Sequence, residues 1–68
     1  MTKQQAISLL HHWQQHGNTL FNLPKFQPVD GAIHLYLPDE TNTYLLYGKF
    51  DSYQAGFAAY GSLLDEAL

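Results

Sequence analysis

The sequence predicts an α+β fold in which two helices pack on one face of a small antiparallel sheet. Amphipathic helical patterns stand at both ends of the chain, and a β-hairpin with alternating apolar residues lies between them. The 68 residues form one domain, 1–68, with a small core. Because the chain contains no cysteine, its stability must come from good packing, oligomerisation or a histidine-bound metal.

The first helix is predicted to run approximately from Lys3 to His16. Thr2 and Gln5 have the spacing of a capping box at its start, and Gly17-Asn18 supplies a stop signal at its end. Its apolar stripe consists of Ala6, Leu9, Leu10 and Trp13, with Ile7 on the edge. We expect this stripe, including Trp13, to face the core.

The segment 19–30 alternates weakly and contains Pro24 and Pro28. Proline cannot donate a ladder hydrogen bond, so this pattern favours an edge strand or an extended arm over a central strand. We expect a short strand around Leu20 to Leu23, then a turn and an irregular arm. Asp30-Gly31 is a turn signal that leads into the hairpin.

The hairpin consists of a first arm at 32–37, a loop at 38–42 and a second arm at 43–50. In the first arm, one side carries Ile33, Leu35 and Leu37, and the other carries Ala32, His34 and Tyr36. In the second arm, one side carries Tyr44, Leu46 and Phe50, and the other carries Leu45 and Tyr47. Both faces of the hairpin are apolar, but the two helices can cover only one of them. A protein partner or a second copy of the chain is therefore expected to cover the other face.

A second helix is predicted from a cap at Asp51-Ser52 to the C-terminus. Its main apolar stripe consists of Tyr53, Phe57, Tyr60, Leu64 and Leu68, and it is flanked by Gly56, Leu63 and Ala67. Glycine weakens a helix interior by up to about 1 kcal/mol relative to alanine. Gly56 and Gly61 therefore indicate close packing against the sheet or a neighbour.

A histidine cluster near the end of the first helix is a weak candidate for metal binding. His12 and His16 have the i, i+4 spacing that brings two imidazoles to one helix face. His34, Asp39 or Glu40 could supply a third ligand. Solvated histidines that interact with the helix dipole are the better explanation of the cluster, so we predict no metal and no cofactor.

Charge and motifs argue against several functions. The chain has no arginine, its 3 lysines are scattered, and its formal net charge is -3, so nucleic-acid binding is not expected. There is no nucleophile motif or phosphate loop. The carboxylate pairs Asp39-Glu40 and Asp65-Glu66 are expected to contact solvent rather than to act as acid-base catalysts. We therefore do not expect an enzyme. The chain shows neither a secretory apolar stretch nor a membrane span, which predicts a cytoplasmic protein without membrane contact.

Taken together, these features predict a small acidic protein-binding module. It would act as a homodimer, or as an accessory or inhibitory subunit that regulates a larger protein target. The hairpin supplies the expected interface: His34, Tyr36, Tyr44, Leu45 and Tyr47. Tyrosine favours interfaces because it brings a large apolar area with a polar tip. The alternatives are a histidine-dependent metal-binding protein and, behind it, an acidic mimic of nucleic acid.

Overall fold

The computed structural model describes residues 1–16 and 24–68, and in these residues the chain forms two helices and one antiparallel sheet. The elements are α1 (Lys3–His16), β1 (Lys25–Val29), β2 (Ala32–Pro38), β3 (Tyr44–Phe50) and α2 (Tyr53–Ala67). The strands follow the order β1-β2-β3 in the sheet, so among the described residues β1 and β3 lie at its edges. The predicted α+β architecture is confirmed.

Helix α1 begins at the predicted capping box. The Gln5 N–H donates to Thr2 Oγ1 at 3.1 Å, and the Thr2 N–H donates in return to Gln5 Oε1 at 2.8 Å. This reciprocal pair satisfies donors that a helix start leaves free. The predicted stop at Gly17-Asn18 lies outside the described residues.

The segment after Pro24 is more regular than the sequence indicated. Residues 25–29 form the edge strand β1 rather than an irregular arm, because its backbone pairs with β2 along its whole length and Pro28 is tolerated at an edge. The turn at Asp30-Gly31 is confirmed, since both residues have positive φ angles of 51° and 81° and connect β1 directly to β2. The strand expected around Leu20 to Leu23 lies outside the described residues.

Strand β2 separates its two faces as predicted. Ile33, Leu35 and Leu37 are buried, and Ala32, His34 and Tyr36 between them are half-buried. We call the side with Leu35 and Leu37 the helical face, because both helices pack there, and the opposite side the open face.

Strand β3 contains a β-bulge that changes which residues share a face. Tyr36 pairs with Leu46 and Leu35 pairs with Gly48, so Tyr47 is the extra residue. Leu46 therefore lies on the open face, whereas Phe50, opposite Ile33, lies on the helical face. The prediction that Leu46 and Phe50 share a face is wrong, because a bulge reverses the alternation beyond it.

The core lies between the two helices and the helical face of the sheet. It consists of Ala6 and Leu10 from α1, Leu35 and Leu37 from β2, and Leu63 and Ala67 from α2. At the surface, Lys3 Nζ lies 3.2 Å from Glu66 Oε2 and links the start of α1 to the end of α2. Both partners are largely exposed, so this ion pair adds less than about 1 kcal/mol.

Helix α2 is rotated relative to its predicted orientation. Tyr53, Phe57 and Leu68 are 44%, 55% and 86% exposed, whereas the flanking Gly56, Leu63 and Ala67 are buried. The cause is Gly56. A Cβ at this position would lie 3.2 Å from Phe26 Cε1, closer than ordinary van der Waals contact, so the absence of a Cβ lets the helix backbone approach this ring closely.

The same helix confirms part of the glycine prediction and one of the two expected caps. Ser52 caps α2, with its Oγ accepting from the Ala55 N–H at 3.1 Å. Gly56 packs closely on β1, as expected. At Gly61 an added Cβ would meet nothing within 4 Å, so the expected close packing is absent there among the described residues.

Trp13 differs from its predicted role as a core residue. It is half-buried, and among the described residues it belongs neither to the buried cluster nor to the side chains packed on it. Its Nε1 donates to the Pro38 carbonyl at 3.4 Å, and its ring meets His12 edge-on at 5.2 Å. The smaller Ala6 and Leu10 fill the core instead, and the indole lies at its margin, at the end of β2.

Candidate protein-binding surface

Three consecutive large apolar residues are exposed at the start of β3. Tyr44, Leu45 and Leu46, which we call the β3 strip, are 41%, 41% and 37% exposed. Leu45 pairs with Leu37 and therefore lies on the helical face, whereas Tyr44 and Leu46 lie on the open face. The strip thus presents apolar area on both sides of a sheet edge.

The main chain of the β3 strip also faces the open edge. The Asp39 N–H donates to the Thr43 carbonyl at 2.9 Å, which makes these two residues a hydrogen-bonded pair. Because such pairs alternate along an antiparallel ladder, Leu45 bonds to β2, while the N–H and C=O groups of Tyr44 and Leu46 point away from it. One of these groups, the Leu46 carbonyl, accepts a long 3.5 Å hydrogen bond from the Met1 ammonium.

An open groove of about 740 Å³ runs beside the strip, between β3 and the first half of α1. Leu45 and Leu46 form one wall, and Gln4, Ser8 and Leu9 form the other. Asp39 and Glu40 stand at the end of the groove that the hairpin loop closes. The groove therefore combines an apolar wall on β3 with a mostly polar wall on α1 and an acidic end.

Asp39 bridges the hairpin loop through three hydrogen bonds. Its Oδ1 accepts hydrogen bonds from the Thr41 hydroxyl at 2.7 Å, the Thr41 N–H at 2.8 Å and the Thr43 N–H at 3.0 Å. These bonds hold the pKa of Asp39 below its ordinary value, and the hydrogen bond from the Thr41 hydroxyl has the largest effect. The carboxylate organises the loop, and its charge stays at the rim of the groove.

The structure separates the residues predicted for the interface. Tyr44 and Leu45 belong to the exposed strip. Tyr36 and His34 are half-buried neighbours on the open face, where the Tyr36 hydroxyl lies 3.5 Å from His34 Nδ1. Tyr47, the bulge residue, is half-buried and packs against the core.

Leu46 is exposed at the surface but was not predicted for the interface. Period-two alternation grouped it with Phe50, which packs against the core. Its direct succession to Tyr44 and Leu45 is the signal that could have revealed it, since three large apolar residues in a row cannot all face the core of a one-sided sheet.

Of the two histidines that were weak candidates for metal binding, the structure describes the side chain of His12. His12 contacts the ring of Trp13, and His11 Nδ1 lies 2.8 Å from the Ala67 carbonyl at the end of α2. The side chain of His16 lies outside the described residues, so the pairing of His12 with His16 is not tested. Within residues 1–15 and 24–68, no three His, Asp or Glu side chains come together in a way that could hold a metal ion.

A second exposed apolar region lies on the other edge of the molecule, where α2 meets β1. The Phe26 ring packs edge-on against Phe57 at 4.7 Å and against Tyr60 at 6.3 Å, and Tyr53 lies next to Phe57. Burial raises the pKa of the Tyr60 hydroxyl. Unlike the side chains of the β3 strip, these aromatic rings contact one another, so each covers part of its neighbour's surface.

Comparison with known proteins adds no relative to this description: the chain matches no family model, and neither a curated protein nor a solved structure shows significant similarity to it. In the described part of the chain, neither helix has the length and apolar character needed to cross a bilayer.

Proposed function

We propose that this chain is a small, non-enzymatic protein-binding module that acts as a homodimer or as an accessory or inhibitory subunit of a larger protein. The observation that carries the proposal is the β3 strip, with three large apolar side chains in succession on an edge strand. Scattered exposed apolar residues are ordinary, but a contiguous run of exposed large apolar side chains is typical of a surface that binds another chain.

The surroundings of the strip support the same function. Tyr36 and His34 extend the apolar area on the open face, and the Gln4 and Ser8 side chains give the groove a polar wall. An apolar centre with a polar rim is the usual organisation of protein interfaces. Asp39 and Glu40 at the rim favour a partner that places a basic residue beside its apolar anchor.

The proposal is tested with Leu46→Lys, which places a charge in the middle of the strip. Tyr53→Lys is the matched control, because Tyr53 is similarly exposed but lies on α2. Wild type and control are expected to show the same associations, as self-association in light scattering or as capture of the same partner from host lysate. Leu46→Lys should lose them while keeping its circular dichroism and melting temperature.

If Leu46→Lys retains every association of the wild type, the β3 strip is not the binding surface and the proposal fails. Equal loss in Leu46→Lys and Tyr53→Lys would point to a general effect of added charge, which also contradicts it.

A further inference from the structure

We propose that the open face of the sheet binds an extended acidic segment of another protein, whose carboxylates contact Lys25 and Lys49. This site goes beyond the proposed function, because it is a second surface, with its own ligand chemistry, beside the β3 strip. It rests on the positions of these two lysines, on the side chains between them and on the distribution of acidic residues around the sheet.

Two of the 3 lysines of the chain lie on the open face. Lys25 is directly opposite Tyr36, and Lys49 is directly opposite His34, and opposed residues share a face of the sheet. Both lysines are exposed, and neither belongs to an ion pair among the described residues. Residues 17–23 contain no acidic residue that could neutralise them. Both charges are therefore available to a partner.

The two lysines stand at opposite ends of a diagonal across the sheet. Lys25 lies on β1 and Lys49 on β3, and their partners on β2 are two residues apart. Strand spacing separates them by about 10 Å across the sheet and by about 7 Å along it, or roughly 12 Å in all. An extended segment rises by about 3.3 Å per residue, so carboxylates four residues apart, about 13 Å, match this separation.

The side chains between the lysines are hydrogen-bond donors. Gln27, which is exposed and opposite His34, offers its amide N–H groups. His34 Nδ1 lies 3.5 Å from the Tyr36 hydroxyl, and the imidazole has an N–H in each of its protonation states. The three strands contain no aspartate or glutamate. Because a carboxylate only accepts hydrogen bonds, it is the complementary ligand for this set of donors and cations.

The acidic residues around the sheet favour a short segment over a long polyanion. Asp30 and Asp51 lie at one end of the strands, and Asp39 and Glu40 lie at the other. A nucleic-acid strand would meet these carboxylates as soon as it left the centre of the face. It would also be repelled by the net charge of -3 and would find only two lysines to contact its phosphates. A short protein segment fits between the acidic ends.

The test uses a fluorescein-labelled peptide of nine residues with glutamate at its third and seventh positions and phenylalanine between them. The control peptide has glutamine in place of both glutamates. Fluorescence anisotropy should show that the acidic peptide binds at least about tenfold more tightly than its control. The difference should shrink as salt rises to about 150 mM, because salt screens exposed charges.

Charge reversal locates the site on the protein. Lys25→Glu and Lys49→Glu should each weaken binding of the acidic peptide at least about fivefold. Lys3→Glu is the matched control, because it changes the net charge equally but lies on α1, and it should change binding less than about twofold. Circular dichroism verifies that each variant is folded. Lys25→Gln and Lys49→Gln, which only remove the charge, should show a smaller loss in the same direction.

Three results overturn this inference. The first is equal binding of the acidic and glutamine peptides, and the second is an equal loss in Lys3→Glu and Lys49→Glu, which would show an effect of net charge alone. The third is tighter binding of an oligothymidylate than of the acidic peptide, lost in the same two variants, which would assign the face to nucleic acid. The β3 strip is tested separately by Leu46→Lys, so failure of this site leaves the proposed function standing.

Discussion

At the residue scale, Asp39 shows how one side chain organises the end of the candidate surface. Its three accepted hydrogen bonds close the loop between β2 and β3 and allow Asn42 to adopt a positive φ of 63°. Asparagine is one of the few residues besides glycine that tolerate this conformation. The direction in which β3 leaves the loop, and hence the position of Tyr44, depends on this network.

Asp39→Asn is expected to destabilise the protein at neutral pH, and the effect should depend on acidity. Because the folded-state pKa of Asp39 lies below its ordinary value of 3.8, the unfolded chain binds the proton more readily. The stabilisation by the carboxylate is therefore present above that value and is lost as the pH falls through the folded-state pKa. Urea unfolding of wild type and Asp39→Asn between about pH 7 and pH 2 should show the difference in unfolding free energy shrinking.

Thr41→Val provides the control for this network. The Thr41 hydroxyl is the main cause of the lowered pKa, so its removal should move the Asp39 carboxyl back towards its ordinary value in an NMR titration. A difference between wild type and Asp39→Asn that is independent of pH would contradict the assigned role of the charge.

At the element scale, the position of α2 depends on its contact with β1. The Phe26 ring makes T-shaped contacts with Phe57 at 4.7 Å and with Tyr60 at 6.3 Å, and these contacts restrict its movement away from Gly56. The helix consequently turns Gly56, Leu63 and Ala67 inward. A helical wheel assigns Phe57 and Tyr53 to the core, but they are 55% and 44% exposed.

Gly56→Ala is expected to destabilise the fold, whereas Gly61→Ala should stabilise it. Alanine favours the helix by about 1 kcal/mol at either position. At Gly56, however, the new Cβ would press on the restrained Phe26 ring, and overpacking of this kind costs about 1 to 3 kcal/mol. At Gly61 nothing opposes the gain. Thermal and urea unfolding measure both changes, and equal stabilisation by the two substitutions would show that the contact with Phe26 does not constrain the helix.

At the scale of the whole molecule, the small core explains why an additional contact is useful. Six residues form the buried cluster among the described residues, and the chain has no cysteine to form a disulfide. Domains of this size bury only about 60% of the surface of the unfolded chain. Covering the β3 strip with another chain would add apolar burial at the edge where the sheet has the most exposed area.

Removal of metal is expected to leave the molecule unchanged. Two histidines on one helix bind a metal weakly, and we expect neither stability nor association to depend on one. EDTA should therefore alter neither the melting temperature nor the oligomeric state. If EDTA lowers the melting temperature and His12→Ala abolishes this sensitivity, the alternative of a histidine-dependent metal-binding protein replaces the proposed function.

The candidate surface was predictable in part. Tyr44 and Leu45 were expected at an interface because the hairpin carries more apolar area than two helices can cover, and both are exposed in the structure. Leu46 was not predicted for the interface, and Tyr47, which was, is half-buried and packs against the core. The β-bulge separates the positions of these two residues, and the sequence carries no recognisable signal for it.

The elements themselves were determined locally. The capping box of Thr2 and Gln5, the Asp30-Gly31 turn and the alternation of β2 depend on backbone geometry within a few residues, so the sequence by itself predicts them. The rotation of α2, the marginal position of Trp13 and the face of Phe50 were decided only by the tertiary structure. These features depend on how closely distant surfaces approach each other, and that distance is set by shape complementarity between elements such as Gly56 and Phe26 rather than by the apolar pattern of either one.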